Sequence, residues 1–454
     1  MIKDFIRKSA TAAVLLACTA TQADALRGTF RGDLAVGQVK IPIVFNFTEN
    51  AEGVTECTLD SPSQGARGIA TKIWHCSDDS VAVYCKSVGA KFRGHISGDT
   101  ISGTFTQRGA VLPLVLTPEE DITLRRPQTP VAPFPYTTVD TVFESTGGTR
   151  LAATLTLPAG GTTGTTPALV LVSGSGPQNR DEELFEHKPF AVLADFLARK
   201  GIATLRYDDR GTASSTGDYT SATIDDFKAD ARNAVALLRG IPGIGRIGVA
   251  GHSEGGTIAF MLAAEKVPDF VVSLGGMAVS GKEAIMGQNI HSLDLAGVTG
   301  TAKEQSIRLL DRFFDIMINQ TRKGTCEEID VDSLVEALGA HEVPAEVIAS
   351  IKMAQKSRST EVDALLAIDP SKYMGKVKCP VLAINGERDT QVSAVANIKA
   401  IKKYIPSAQT LVAPELNHLL QHCITGEVTE YGEIRETMAP EILEAITEFV
   451  SGQK

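Results

Sequence analysis

In the first part of the chain, apolar and polar residues alternate in short runs broken by turn-forming residues, and no helical period appears. Lys40–Phe47, Ser80–Tyr84, Lys91–Ile96, Thr100–Phe105 and Val111–Leu116 read as strands, with breaks at Asn50-Ala51-Glu52-Gly53 and Ser97-Gly98-Asp99. Strands at this spacing predict a small antiparallel β domain over residues 26–126. Four prolines between Arg125 and Tyr136 then mark a stiff linker, placed at 127–137.

Beyond the linker the pattern changes. Val139–Glu144 and Leu151–Leu157, joined through Gly147-Gly148, read as a hairpin, and Ala168–Val172 is apolar without alternation, as in a strand covered on both faces. Helical runs at Lys188–Arg199 and Ile224–Leu238 alternate with strands at Ala203–Tyr207 and up to Ala250. Strands return at Val271–Leu274, Val377–Ile384 and Gln409–Ala413, and Pro440–Val450 is a last helix. This alternation predicts an α/β fold with a mostly parallel sheet over residues 138–454. Residues 278 to about 372 lose strand character and carry helical runs, with Ile307, Leu310, Phe314 and Met317 on one face, then Val331–Leu338 and Ala345–Met353. Inserted between two strands, they read as a helical cap.

The amino terminus adds a destination. Lys3, Arg7 and Lys8 precede the apolar run Ala10–Ala20, and Ala23-Asp24-Ala25 offers a small-x-small cut, so residues 1–25 read as a secretory signal peptide and the chain as periplasmic or extracellular. Leu15-Leu16-Ala17-Cys18 supports an alternative, a lipoprotein anchored at Cys18. No later run approaches 18 apolar residues, so no membrane span is expected.

At 454 residues the chain is too long for one ordinary domain. Its net charge of -10 argues against a nucleic-acid partner. In an oxidising compartment Cys76 and Cys85, flanking a predicted hairpin, are candidates for a disulfide, with Cys57 in the same region. No Cys-x-x-Cys or Cys/His ligand spacing occurs, and no metal is expected. Gly243-Ile244-Gly245-Arg246-Ile247-Gly248 matches G-x-G-x-x-G but precedes a strand instead of opening a helix, so no dinucleotide cofactor is expected either. In the β domain His75 and His95 read as structural, and Trp74 as a core residue rather than a stacking platform for a sugar or peptide.

The chemistry concentrates at Gly251-His252-Ser253-Glu254-Gly255, set between an apolar strand and a helical run from Thr257 to Lys266. A serine on a sharp strand-to-helix turn needs neighbours almost free of side chain, which Gly251 and Gly255 supply. The turn places its hydroxyl above a helix N-terminus, where the Glu254 N–H faces a developing oxyanion. Serine also needs a base within hydrogen-bond reach and a third group to orient that base. Ser253, Asp389 and His418 follow in that chain order, each just past the end of a predicted strand, where ligands bind in open α/β sheets. His422, one helical turn from His418, is the rival base, and Glu387 and Glu415 are rivals of Asp389. The glycine-rich loop Ser173–Asp181 can bring backbone N–H groups to a ligand. Arg180, Asp181 and Asp209 read either as a site for a charged substrate end or as a structural ion pair, and His252 as a candidate pocket residue.

Gly-His-Ser-Glu-Gly-Gly, Gly-Glu-Arg-Asp, Asn-His, and Asp209-Arg210-Gly211 after Tyr207 carry a resemblance to the α/β-hydrolase superfamily, whose order is Ser, Asp or Glu, then His. The chain is most similar there to secreted bacterial esterases, often described as serine-aminopeptidase-like, with a small β domain ahead of the catalytic one. The resemblance covers roughly residues 26–454. It implies an α/β-hydrolase fold, Ser253 as nucleophile, His418 as general base and then acid, and Asp389 as its orienter. It implies an oxyanion hole from the backbone N–H groups of Glu254 and Ser175, with Gly174, Arg180 and His252 as candidate substrate contacts. Two departures stand out: Ser173-Gly174 where many relatives have His-Gly, and Ala213 where they have glycine. The implied activity is cofactor-independent cleavage of a small carboxylic ester through an acyl-enzyme. The alternatives are a peptidase or aminopeptidase on the same residues and, from another class, a non-catalytic glycan-binding protein.

Overall fold

The computed structural model describes residues 26–36, 39–50, 53–62, 66–119, 126–356 and 358–453. The signal-peptide and Cys18 readings lie outside them. The chain divides into two compact units, one ending at Glu119 and the other running from residue 120 onward.

The first unit consists of β1 (Gly28–Val36), β2 (Val39–Glu49), β3 (Thr55–Ser61), β4 (Ala66–Ala70), β5 (Lys72–Cys76), β6 (Ser80–Cys85), β7 (Ala90–Ser97), β8 (Thr100–Gln107) and β9 (Ala110–Pro118). They form one antiparallel sheet in the order β4-β3-β2-β1-β9-β8-β7-β6-β5. The period of two is plain in β6, where Val81, Val83 and Cys85 are buried and their neighbours are not. They join Phe45, Phe92, Phe105 and Leu114 in the core.

Two expectations for this unit fail. The strand register sets Cys76 opposite Val81 and Cys85 opposite Ala90, so the two cysteines sit four residues apart along β6. At about 3.3 Å per residue that is roughly 13 Å, well beyond disulfide reach, and the six described cysteines are free thiols. Trp74 is not in the core: it is half exposed, stacked on Tyr84 at 5.0 Å, with the Lys91 ammonium over both rings.

The second unit holds β10 (Thr137–Glu144), β11 (Arg150–Leu157), β12 (Thr166–Val172), β13 (Ala203–Tyr207), β14 (Ile244–His252), β15 (Phe270–Leu274), β16 (Val381–Gly386) and β17 (Gln409–Ala413). Its helices are α1 (Pro189–Arg199), α2 (Ile224–Arg239), α3 (Glu254–Ala264), α4 (Gly281–Leu295), α5 (Gly300–Lys323), α6 (Val331–Leu338), α7 (Ala345–Lys356), α8 (Thr360–Leu366), α9 (Ala394–Tyr404) and α10 (Pro440–Ser451). The sheet order is β10-β11-β13-β12-β14-β15-β16-β17. β10, β11 and β13 pair antiparallel and every other pair is parallel, which is the α/β-hydrolase arrangement.

The unbroken apolar run in β12 has a direct cause. Ala168, Val170 and Val172 face a core built with Phe227, Ala231 and Val235 of α2 and Ile258 of α3. Leu169 and Leu171 face a second core with Phe190 and Leu193 of α1 and Ile442 and Ile446 of α10. Helices cover both faces, so no position is left for a polar residue.

Helices α4–α8 lie between β15 and β16 and have an apolar core of their own, with Leu309, Leu310, Phe313 and Met317 of α5 at its centre. The proline-rich stretch is anchored to the rest of the second unit. Arg126 is buried and donates to the carbonyls of Phe185, Gly432 and Ile434, Gln128 bonds Thr437 and Met438, and the Tyr136 hydroxyl donates to Asp195. Among the described residues no helix is long and apolar enough to cross a membrane.

Candidate active site

β14 runs directly into α3, and Ser253 is the turn between them. Its φ of 51° and ψ of -116° are a combination that non-glycine residues avoid. Two backbone bonds hold it there: its N–H donates to the Leu274 carbonyl at 2.9 Å, and its carbonyl accepts from the Gly256 N–H at 3.0 Å. The flanking glycines are needed for space. A Cβ on Gly251 would lie 2.0 Å from the Gly255 oxygen, and one on Gly255 2.1 Å from the Val172 oxygen.

Asp389 follows β16 and His418 follows β17. His418 Nδ1 lies 2.7 Å from Asp389 Oδ2, and both side chains are buried. The other carboxylate oxygen accepts the N–H groups of Gln391 and Val392 at 2.9 and 2.8 Å. A carboxylate oxygen accepts, so Nδ1 is the donor of this bond, and the neutral tautomer that makes it has its lone pair on Nε2. Gly275, with φ at 57°, lies against the ring: a Cβ there would be 3.2 Å from Nδ1. His418 therefore sits over the end of β15, whose Leu274 also fixes Ser253. His422 is elsewhere, about half exposed between Glu436 and Glu441. Glu387 accepts from the Glu415 N–H, and Glu415 pairs with Arg388, so both rival carboxylates belong to a surface network.

The loop after β12 is anchored through Ser173, Gly174, Gly176 and Gln178. Ser173 donates its hydroxyl proton to Asp209, which also accepts the Gln178 N–H. The Gly174 N–H goes to Glu182 at 2.7 Å and the Gly176 N–H to Glu361 of α8 at 2.9 Å. Glu361 also accepts the Tyr219 hydroxyl at 2.6 Å. Between these anchors the Ser175 N–H has no acceptor among the described residues. The Glu254 N–H opens α3, where the first donors of a helix have no intrahelical acceptor. Ser173–Gly176, Glu254, Tyr219 and Glu361 line a cavity of about 10 Å³, room for one water-sized group. Burial, and then the charge of Glu361, push the Glu254 carboxyl up to about 8, and its Oε2 has no hydrogen-bond partner. Burial also holds the Asp209 carboxyl well above the usual range, against its bonds from Gln178 and Ser173.

The remaining candidates have definite partners. The Arg180 guanidinium is committed to Asp208 through bonds of 2.8 and 3.0 Å, and to Asp140 and Thr154, which makes it the ion pair of its two readings. Asp181 pairs with Arg206. Gly174 lies beside Ser253, since a Cβ on it would be 3.1 Å from that of Ser253. His252 is taken up by Glu182 at Nδ1 and by the His418 carbonyl at Nε2. His187 is buried between the Thr437 hydroxyl and the Tyr431 carbonyl, and burial drives it down to about 3, a neutral structural residue. Among the described residues no cluster of His, Cys, Asp or Glu is arranged to hold a metal. The sequence reading missed Glu182 and Glu361. Glu182 sits in Asp181-Glu182-Glu183, a charge run that looks solvated, and Glu361 in a short helix far away in sequence.

The pattern of the family described as "X-Pro dipeptidyl-peptidase (S15 family)" matches residues 147–415. Esterase EstD of Thermotoga maritima is 30% identical over 280 residues, which are 61% of this chain; the chain spans 59% of that relative's length. A hypothetical protein from Pseudomonas aeruginosa superposes with a TM-score of 0.45 at 19% identity, covering 72% of this chain and 96% of that one. Est1E from Butyrivibrio proteoclasticus, solved with ferulic acid bound, gives 0.41 at 17% identity over 68% and 96%.

Proposed function

Since the chain belongs to the family described as X-Pro dipeptidyl-peptidase (S15 family), we propose that it is a serine hydrolase that cleaves carboxylic esters through an acyl-enzyme on Ser253. The observation that carries the reading is the buried 2.7 Å bond between Asp389 and His418, just past the ends of β16 and β17, with only β15 between them and β14, which leads into the strained Ser253. His418 Nε2 takes the Ser253 proton as Oγ attacks the ester carbonyl, and Asp389 stabilises the imidazolium that forms. The developing oxyanion is received by the N–H groups of Ser175 and Glu254. His418 then protonates the leaving alcohol, and a water activated by the same imidazole releases the acid. The similarity to Esterase EstD supports an ester as substrate. The signal-like residues 1–25 support export.

A peptidase on the same residues is the second reading. It is favoured by the family's description. Turnover of a panel of p-nitrophenyl esters beside aminoacyl-nitroanilides decides between them. Faster turnover of the esters is expected, and preference for the anilides transfers the function to peptide bonds. Absence of fluorophosphonate labelling in a folded protein sinks both and leaves a binding protein.

A further inference from the structure

Glu182 and His252 lie outside the triad, yet both are buried beside it. Glu182 holds a backbone φ of 51°, strained for a residue with a side chain, in the loop that follows β12. Its Oε1 accepts two bonds, from the Gly174 N–H at 2.7 Å and from His252 Nδ1 at 2.9 Å. His252 Nε2 donates to the His418 carbonyl at 3.0 Å, and the two imidazoles are 4.7 Å apart, centre to centre. A carbonyl and a carboxylate both only accept, so each nitrogen of His252 faces an acceptor and the ring carries both protons. Burial opposes that charge, but the Glu182 carboxylate and the His418 carbonyl outweigh it and hold His252 above its ordinary value.

The consequence is one continuous chain from the Gly174 N–H through Glu182 and His252 to the His418 carbonyl. It joins the loop after β12, the last residue of β14 and the loop after β17. Gly174 precedes the oxyanion donor Ser175, His252 precedes the nucleophile, and His418 bears the base.

We propose that Glu182 and His252 are a positioning pair that sets the distance between the oxyanion-binding loop and the catalytic base. The proposal rests on the roles given above to Ser253, His418 and Ser175. Neither residue reaches the reacting atoms. They act because both donors of the transition state, the Ser175 N–H and the His418 ring, must be placed to a fraction of an ångström around Ser253. Glu182→Gln keeps one acceptor oxygen but loses the charge that holds the His252 proton. His252→Gln reaches Glu182 or the His418 carbonyl, not both.

The test is a double-mutant cycle on ester hydrolysis, with kcat counted per site titrated by fluorophosphonate so that misfolded protein drops out. Each single variant is expected to lower kcat by about 10- to 100-fold with KM within about threefold, and the double variant to be no worse than the worse single one. Multiplicative effects, or a kcat per titrated site within about twofold of wild type, overturn the pair. Should Glu182→Gln fail to fold, Glu182→Asp, which keeps the charge and shortens the reach, is read by the same criteria. Ser253→Ala, run alongside, checks the underlying roles: if labelling persists there, those roles fail. With labelling confined to Ser253, multiplicative effects sink the positioning pair alone.

Discussion

Asp389 gives one carboxylate oxygen to His418 Nδ1, at 2.7 Å, and the other to the N–H groups of Gln391 and Val392. The two oxygens are therefore not interchangeable. Asp389→Asn keeps its carbonyl on the two N–H groups, which turns its amide N–H toward His418 and forces the proton from Nδ1 to Nε2. Nε2, the nitrogen proposed to take the Ser253 proton, then already carries one and cannot accept it. A loss on the order of 10⁴ in kcat is expected, with the melting temperature little changed. Glu387→Gln, in the surface network, is expected to cost less than about tenfold. Steady-state kinetics of both variants checks the assignment, and a reversed order of effects would move the acid to Glu387.

The elbow glycines predict a contrast in stability. At Gly255 an added methyl would lie 2.1 Å from the Val172 carbonyl, backbone against backbone, with nothing flexible to yield. Gly255→Ala is expected to destabilise by more than about 3 kcal/mol or to prevent folding. Gly287, inside α4, has nothing within 4 Å of the same position. Gly287→Ala should be neutral or stabilise by about 0.5–1 kcal/mol, since alanine loses less backbone freedom in a helix. Urea melts of the two proteins measure the difference.

Glu254 sets a pH dependence. Its carboxyl is raised from 4.5 to about 8, chiefly by burial, so the fold favours the protonated form more than the unfolded chain does. Its contribution is complete below about pH 4.5 and is lost as pH rises to about 8, on the order of a few kcal/mol. Glu254→Gln cannot ionise. Its stability relative to wild type is expected to grow between pH 5 and 8.5, read from melts at each pH; parallel curves would contradict the buried neutral carboxyl.

Glu361 links α8 to the loop that carries Ser175. Its loss in Glu361→Ala frees the Gly176 N–H and the Tyr219 hydroxyl, two bonds to a charged group. A fall of about 10- to 100-fold in kcat/KM is expected. Unchanged kcat/KM would mean that the loop keeps its shape without α8.

The sheet was legible because burial on both faces writes unbroken apolar runs such as Ala168–Val172, and because Gly251 and Gly255 have a steric reason to flank Ser253. The edges of the β unit were harder. β3 and β4, with sequences such as Thr-Glu-Cys-Thr-Leu-Asp-Ser, bury too few large side chains to stand out, and without the strand register the Cys76 and Cys85 pairing looked open. Trp74 was misplaced because an aromatic in a short strand gives no sign of which face it occupies. The partners of His252 were invisible for another reason: Glu182 reads as one more charge in an acidic run until the fold closes the loop over β14.

The central claim is that Ser253 is acylated. Rapid-quench mass spectrometry during turnover of a p-nitrophenyl ester, on a preparation slowed by Asp389→Asn, tests it most directly. One added acyl group on the peptide that contains Ser253, absent in Ser253→Ala, is the expected result. Steady turnover with that peptide unmodified, or the acyl group on another residue, would contradict it.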